Sequence, residues 1–147
     1  MKRKMCIISA ILMVALMVTG CSGKKTRSYT MSNNDKISIT LDASDKFDIS
    51  SDVPFIISCD KEELCKGSFL GLDAYYTELD AAQYDEYYTI IDSGSDDDIE
   101  YTFYSSEDEY DYLIHLKDSQ TAIMLQNDVS EASAKECFAR LNFKFTH

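Results

Sequence analysis

The sequence predicts an α+β domain: an antiparallel β-sheet with about two helices packed on one face, arranged as two strand–hairpin–helix halves. Three observations carry this. Short segments that alternate apolar and polar residues recur along the chain, separated by turn-forming clusters, as antiparallel strands require. Two other stretches repeat apolar residues at helical spacing. Tyr, Phe, Ile and Leu are spread among the acids throughout the second part of the chain, so that part buries a core and is not disordered.

The elements follow in order. Ile37-Ser38-Ile39-Thr40-Leu41 alternates cleanly, and Lys46-Phe47-Asp48-Ile49 makes a short second strand after the turn Asp42-Ala43-Ser44-Asp45. Pro54 opens the next strand, Phe55 to Cys59, at a position that tolerates proline. Asp60 to Leu64 reads as a turn into Cys65 to Leu70. Placing Cys59 opposite Cys65 puts Ile57 opposite Gly67 and Phe55 opposite Phe69, a register with one consistent apolar face. It admits a Cys59–Cys65 cross-strand disulfide in an oxidising compartment; two reduced, buried thiols fit the same register.

Tyr84, Tyr87, Tyr88 and Ile91 fall at i, i+3, i+4 and i+7, which predicts a helix capped by Asp80 and stopped at Gly94. Ile99 to Phe103 alternates again. Tyr112 to Lys117 and Gln120 to Leu125 flank a two-residue turn, Asp118-Ser119, with Tyr112 opposite Leu125 and Ile114 opposite Ile123. Ser130 caps a second helix whose face carries Ala134, Cys137, Phe138 and Leu141. Asn142 to Phe145 is a last short strand. This order, with its capped helix and its Leu141-Asn142-Phe143 tail, resembles small lipoprotein and photosystem-associated domains of the PsbP type. The resemblance concerns pattern only and carries over no functional residue.

The front end has a separate logic. Lys2, Arg3 and Lys4 precede an almost wholly apolar run, Cys6 to Val18. At about 13 residues it suits the core of an export signal and is shorter than the ~18–20 residues of a spanning helix. It ends at Val18-Thr19-Gly20-Cys21, which resembles the lipobox of bacterial lipoproteins, with valine in place of the commoner leucine. The resemblance implies cleavage after Gly20 and a diacylglyceryl group on the Cys21 sulfur. The division expected is therefore a signal peptide at 1–20, a lipidated polar tether at 21–35 and one acidic domain at 36–147. The implied place is a bacterial cell membrane, lipid-anchored and facing outside the cytoplasm. Stable attachment needs two or more acyl chains, at about 0.8 kcal/mol per buried CH₂.

Charge narrows the partners. The chain carries 14 basic and 26 acidic residues, a formal charge of −12. Loss of Lys2, Arg3 and Lys4 with the signal leaves 11 basic against 26 acidic residues, a charge of −15. Such a body repels phosphate backbones, so no nucleic-acid partner is expected. It also repels anionic lipid, so the membrane contact falls to the anchor.

No catalytic constellation is visible: the five glycines form no phosphate cradle, and His115 and His147 are the only histidines. No cofactor and no metal site are expected. Two acidic runs are candidate cation sites: Asp92–Glu100 lacks the spacing of a calcium loop, Ser105–Asp111 fits a solvated hairpin tip, and both read as solubilising turns. Cys137 reads as a core residue. Tyr75, Tyr76, Tyr104 and Tyr110 are candidate contact tyrosines. The expectation is a non-catalytic binding or accessory module of the envelope, for a protein or ligand the sequence does not name. The alternatives are a structural or cation-binding lipoprotein and an envelope-acting hydrolase.

Overall fold

The alternating segments pair into two antiparallel sheets, and the protein is α+β as the sequence predicts. The computed structural model describes residues 11–17 and 23–146. Its elements are β1 (Ile11–Met17), β2 (Lys24–Met31), β3 (Lys36–Asp42), β4 (Phe47–Ile49), β5 (Phe55–Cys59), β6 (Glu62–Gly71), α1 (Leu72–Tyr84), β7 (Thr89–Ser95), β8 (Ile99–Ser106), β9 (Glu109–Leu116), β10 (Thr121–Asn127), α2 (Glu131–Ala139) and β11 (Leu141–Thr146).

Two meanders, β4-β5-β6 and β7-β8-β9-β10, join through the β6–β10 pair into one seven-stranded sheet ordered β4-β5-β6-β10-β9-β8-β7. The smaller sheet has β3 at its centre between β2 and β11, and the backbone of β1 runs antiparallel along the outer edge of β2. β1 falls within the expected signal peptide, so cleavage would leave β2 as an edge strand.

The topology decides where the helices lie. The chain must travel from β6, inside the large sheet, to β7 at its far edge, so α1 crosses one face of that sheet. It packs there on Leu70, Tyr104, Leu113, Ala122 and Met124 through Tyr75 and Ala82. α2 instead carries the chain from β10 to β11, out of the large sheet into the small one, and lies on the opposite face. Ala134 and Cys137 join the core that Ile37, Ile39, Leu41 and Phe143 of the small sheet make with Phe55, Ile57, Phe69, Ile114 and Ile123. The helices thus take opposite faces, where the sequence reading placed both on one. The protein is layered: α1, then the seven-stranded sheet, then the small sheet with α2.

Several local expectations hold. Tyr112 faces Leu125 and Ile114 faces Ile123. The Ser130 hydroxyl accepts from the Ser133 N–H and caps α2. The terminal strand exists, with Phe143 opposite Ile39.

Others are corrected. The stretch 21–35, expected as a tether, contains β2, which buries Arg27, Tyr29 and Met31. Arg27 donates from Nη2 to the Ile49 carbonyl at 3.0 Å and so ties β2 to β4. The helix expected around residues 81–91 is α1, which begins after Gly71 and ends at Tyr84. Its buried positions come from an earlier stripe, Leu72, Tyr75, Leu79 and Ala82. Tyr84 and Tyr87 are 83% and 75% exposed, so most of the supposed aromatic face is outside. Thr89 to Ser95, with its β-branched start, is strand β7.

Buried phenols make the protein sensitive to alkali. Burial raises the ionisation of Tyr29 and Tyr112 and pushes Tyr75 up to about 12 from 10.0. The folded state therefore keeps protons that the unfolded chain releases. This stability is intact below pH 10 and is lost as pH rises through the folded values. Tyrosinate absorbance and circular dichroism recorded together should show a group of phenols ionising in step with unfolding. Complete ionisation of all ten tyrosines in a still-native fold would contradict that burial.

Candidate functional site

α1 leaves part of the sheet face it crosses uncovered, where Lys66 is exposed and Ser106, Glu109 and Gln126 are half-buried. Alternation along the strands sets the floor: Lys66 of β6, Gln126 of β10, Glu109 of β9 and Ser106 of β8 all point the same way. Asp85, Tyr87 and Tyr88, which follow α1, form a wall, and Tyr88 is held edge-on against buried Tyr104 at 5.6 Å. The resulting cleft has a volume of about 1440 Å³. Among the described residues, Glu63, Asp85, Glu107, Asp108, Glu109 and Asp128 line it against one cation, Lys66. Its field therefore favours positive charge, most strongly at low salt, where the Debye length exceeds ~10 Å.

A second groove of about 700 Å³ lies on the other side of the start of β6, along the N-terminal turn of α2. Leu64 lines both concavities. This groove holds Asp45, Cys59, Asp60, Glu62 and Glu136 and is acidic as well. Arg140 holds three of its lining residues: its guanidinium stacks on Phe47 at 3.9 Å and donates to Asp45 Oδ2 at 3.0 Å and Glu136 Oε1 at 3.3 Å.

No known protein family, no curated protein and no solved structure matches this chain. The chemistry therefore has to be read from its own residues.

Cys21 and the rest of the lipobox lie outside the described residues. Cys59 and Cys65 do not face each other. Asp60 and Lys61 both take positive φ, 50° and 69°, and form a two-residue turn, so Glu62 and Glu63 continue the strand. Ile57 then faces Cys65, Phe55 faces Gly67 and Cys59 faces Glu62, with a bulge after Ile57. All three cysteines are free in the structure, and the Cys59–Cys65 bridge is not formed. Cys65 is instead beside Cys137, and the two thiols interact. Nothing in the spacing of these two residues signals that contact, because it depends on where α2 docks.

His115 is positioned structurally. Its Nδ1 meets Glu100 Oε1 at 2.9 Å, its Nε2 meets the Ser119 carbonyl at 3.3 Å, and Tyr75 covers the ring at 5.3 Å. Both nitrogens are occupied, and among the described residues no hydroxyl is bonded to either. Tyr75 and Tyr104, expected at the surface, are buried, whereas Tyr76 is 52% exposed and Tyr110 half-buried.

The acidic runs are turns only at their centres, 96–98 and 107–108; their flanks belong to β7, β8 and β9, and Asp111 is buried. Asp96 Oδ1 accepts from the Asp98 and Ile99 N–H groups, both at 2.8 Å, and these bonds hold its carboxyl below the usual carboxylate range. Lys144 pairs with Asp98 at 3.1 Å and so joins this turn to β11. Glu107 and Asp108 form the tip between β8 and β9. Among the described residues no three His, Cys, Asp or Glu side chains converge on one point as ligands for an ion.

Proposed function

We propose that this chain is a membrane-anchored lipoprotein on the outer side of a bacterial cell membrane, where its acidic domain acts as a non-catalytic binding or accessory module. The observation that carries the reading is Val18-Thr19-Gly20-Cys21 placed directly before a folded domain. Only Ser22 and Gly23 separate Cys21 from β2. That leash reaches roughly 7 Å, so the domain sits against the lipid surface and not at the end of a long arm. The Gly23 carbonyl, which accepts from the Ala43 N–H, fixes the exit of the chain beside the smaller groove. The occupant that suits the larger cleft is a cationic segment of an envelope or secreted protein. Six carboxylates attract it, and Tyr87 and Tyr88 offer ring surface.

Two measurements test this. Native protein should sediment with membranes and carry a fatty-acylated Cys21 as its N-terminus, and Cys21→Ser should carry no fatty acid and keep its uncleaved start. An unprocessed start, or a bare Cys21 thiol on membrane-bound protein, would refute the anchor. For the cleft, a short oligolysine peptide should bind at low salt and lose at least tenfold in affinity when Glu63 and Asp108 are both changed to lysine. Equal binding by the reversed-charge protein would remove the cleft from the proposal.

A further inference from the structure

We propose that Cys65 and Cys137 form the disulfide of this chain, locking α2 onto β6 and leaving Cys59 as a thiol. The inference rests on the extracytoplasmic reading above, because an oxidising compartment supplies the partner the chemistry needs.

The placement of the two sulfurs supports it. Cys65 and Cys137 are 1% and 0% exposed, lie on the packed elements β6 and α2 and join one core cluster, where their thiols interact. Neighbouring polar groups fix both. Asn127 Nδ2 donates to Cys65 Sγ at 3.2 Å and to Ser133 Oγ at 2.9 Å. Its Oδ1 accepts from the Val129 and Ser130 N–H groups, which holds the start of α2 against β10. Ser133 stands one helical turn before Cys137. Farther along α2, Phe138 stacks on Tyr112 at 4.1 Å and 8°, and Tyr112 on Phe103 at 4.1 Å and 9°. The helix cannot slide without breaking this column, so the thiols stay in register.

Cys59 is excluded by the same geometry. It lines the smaller groove at the end of β5, and its Sγ donates to the Asp45 carbonyl at 3.5 Å. With three thiols in the domain, one bridge leaves one cysteine over, and the accessible one is left.

The oxidant is a disulfide, either of a thiol-oxidising protein or of a small molecule such as oxidised glutathione. One thiolate of the chain attacks it, forms a mixed disulfide and expels the first oxidant thiolate. The second cysteine, as thiolate, attacks its partner's sulfur in the mixed disulfide and expels the other. Two electrons and two protons leave the chain, and the oxidant emerges as two thiols. The hydrogen bond shared with Cys137, together with burial, pushes the Cys65 thiol up. Exchange therefore belongs to the stage when α2 is docking, before the pair is enclosed. Once formed, the bond is out of reach of thiol reductants and closes a loop of about 70 residues.

The full-length protein tests this in two arms. Protein taken from its native membranes is acid-quenched, unfolded, alkylated without reductant and peptide-mapped. A linked pair containing Cys65 and Cys137, with Cys59 alkylated, is expected. Alkylation of both Cys65 and Cys137, or a bridge through Cys59, overturns the proposal even where Cys21 is lipidated. In the second arm, purified reduced protein is refolded in a glutathione redox buffer, which removes any dependence on location. The same link should form and raise the melting temperature by roughly 10 °C over the reduced protein. Cys59→Ser should keep that difference and Cys137→Ser should lose it. Native-like refolding without the link overturns the inference. A link in glutathione with an unlipidated native Cys21 upholds the geometry and defeats only the membrane reading.

Discussion

Gly67→Ala should destabilise the domain by about 3 kcal/mol, at the upper end of what overpacking one methyl group costs in a core. A Cβ at Gly67 would stand 2.0, 2.2 and 2.4 Å from three ring atoms of Phe55, the residue directly across the β5–β6 pair. That ring has nowhere to go. It is 0% exposed and lies against Tyr29 at 6.1 Å and Phe69 at 5.9 Å between centroids. Backbone freedom does not explain this glycine, since its φ is not positive. Were the ring able to yield, alanine would raise stability by about 0.4–1 kcal/mol through the unfolded chain. The sign of the change is thus diagnostic. Urea unfolding of Gly67→Ala, Phe55→Leu and the double variant should show strong coupling, the double costing at least about 1 kcal/mol less than the sum of the singles. A Gly67→Ala protein within about 0.5 kcal/mol of the parent would show that this contact is not tight.

The same strand pair shows how far a sequence can be read. Pairing Phe55 with Phe69 or with Gly67 differs by two residues, and a two-residue slip leaves every side chain on its own face. Hydrophobic alternation cannot distinguish the two registers. The turn decides, and Asp60-Lys61 carries no glycine or asparagine to announce positive φ at both positions. The β9–β10 hairpin was legible because both strands and a two-residue turn, Asp118-Ser119, agreed on one register. In α1 two candidate stripes overlap, and the one ending in Tyr87 and Ile91 misleads because tyrosine is at home on either side of a surface. Two strands of the second sheet, β3 and β11, were legible, but nothing local said that they pair. Ile39 pairs with Phe143 about 100 residues away, a contact that only the path of α2 makes. Of the candidate site, the acids were visible as runs, but their gathering around one uncovered patch of sheet follows from where α1 packs. The thiol pair was hidden for the same reason.

Asp35→Ala should cost about 3 kcal/mol and loosen the small sheet from the large one. Asp35 closes the stretch that reads as a polar tether, yet it is a buried carboxylate. Its Oδ2 accepts from the Gln120 N–H at 2.9 Å, the Thr121 hydroxyl at 2.8 Å and the Asn33 amide at 3.1 Å. Two of these donors belong to the β9–β10 turn, more than 80 residues away, so one oxygen joins the β2–β3 turn of the small sheet to the hairpin of the large one. Thr121 is 97% enclosed and is offered no water when the acceptor goes. Removal therefore leaves the buried Thr121 hydroxyl without its acceptor, at about 1–3 kcal/mol, and does more harm than the loss of one surface ion pair. Asp35→Asn retains a carbonyl oxygen for the converging donors and should lose only about half as much. Hydrogen exchange at the Gln120 amide reports the contact itself: protection should fall at least tenfold in Asp35→Ala and much less in Asp35→Asn. Unchanged protection in Asp35→Ala would mean that the two sheets are held together by apolar packing alone, with the carboxylate incidental to it.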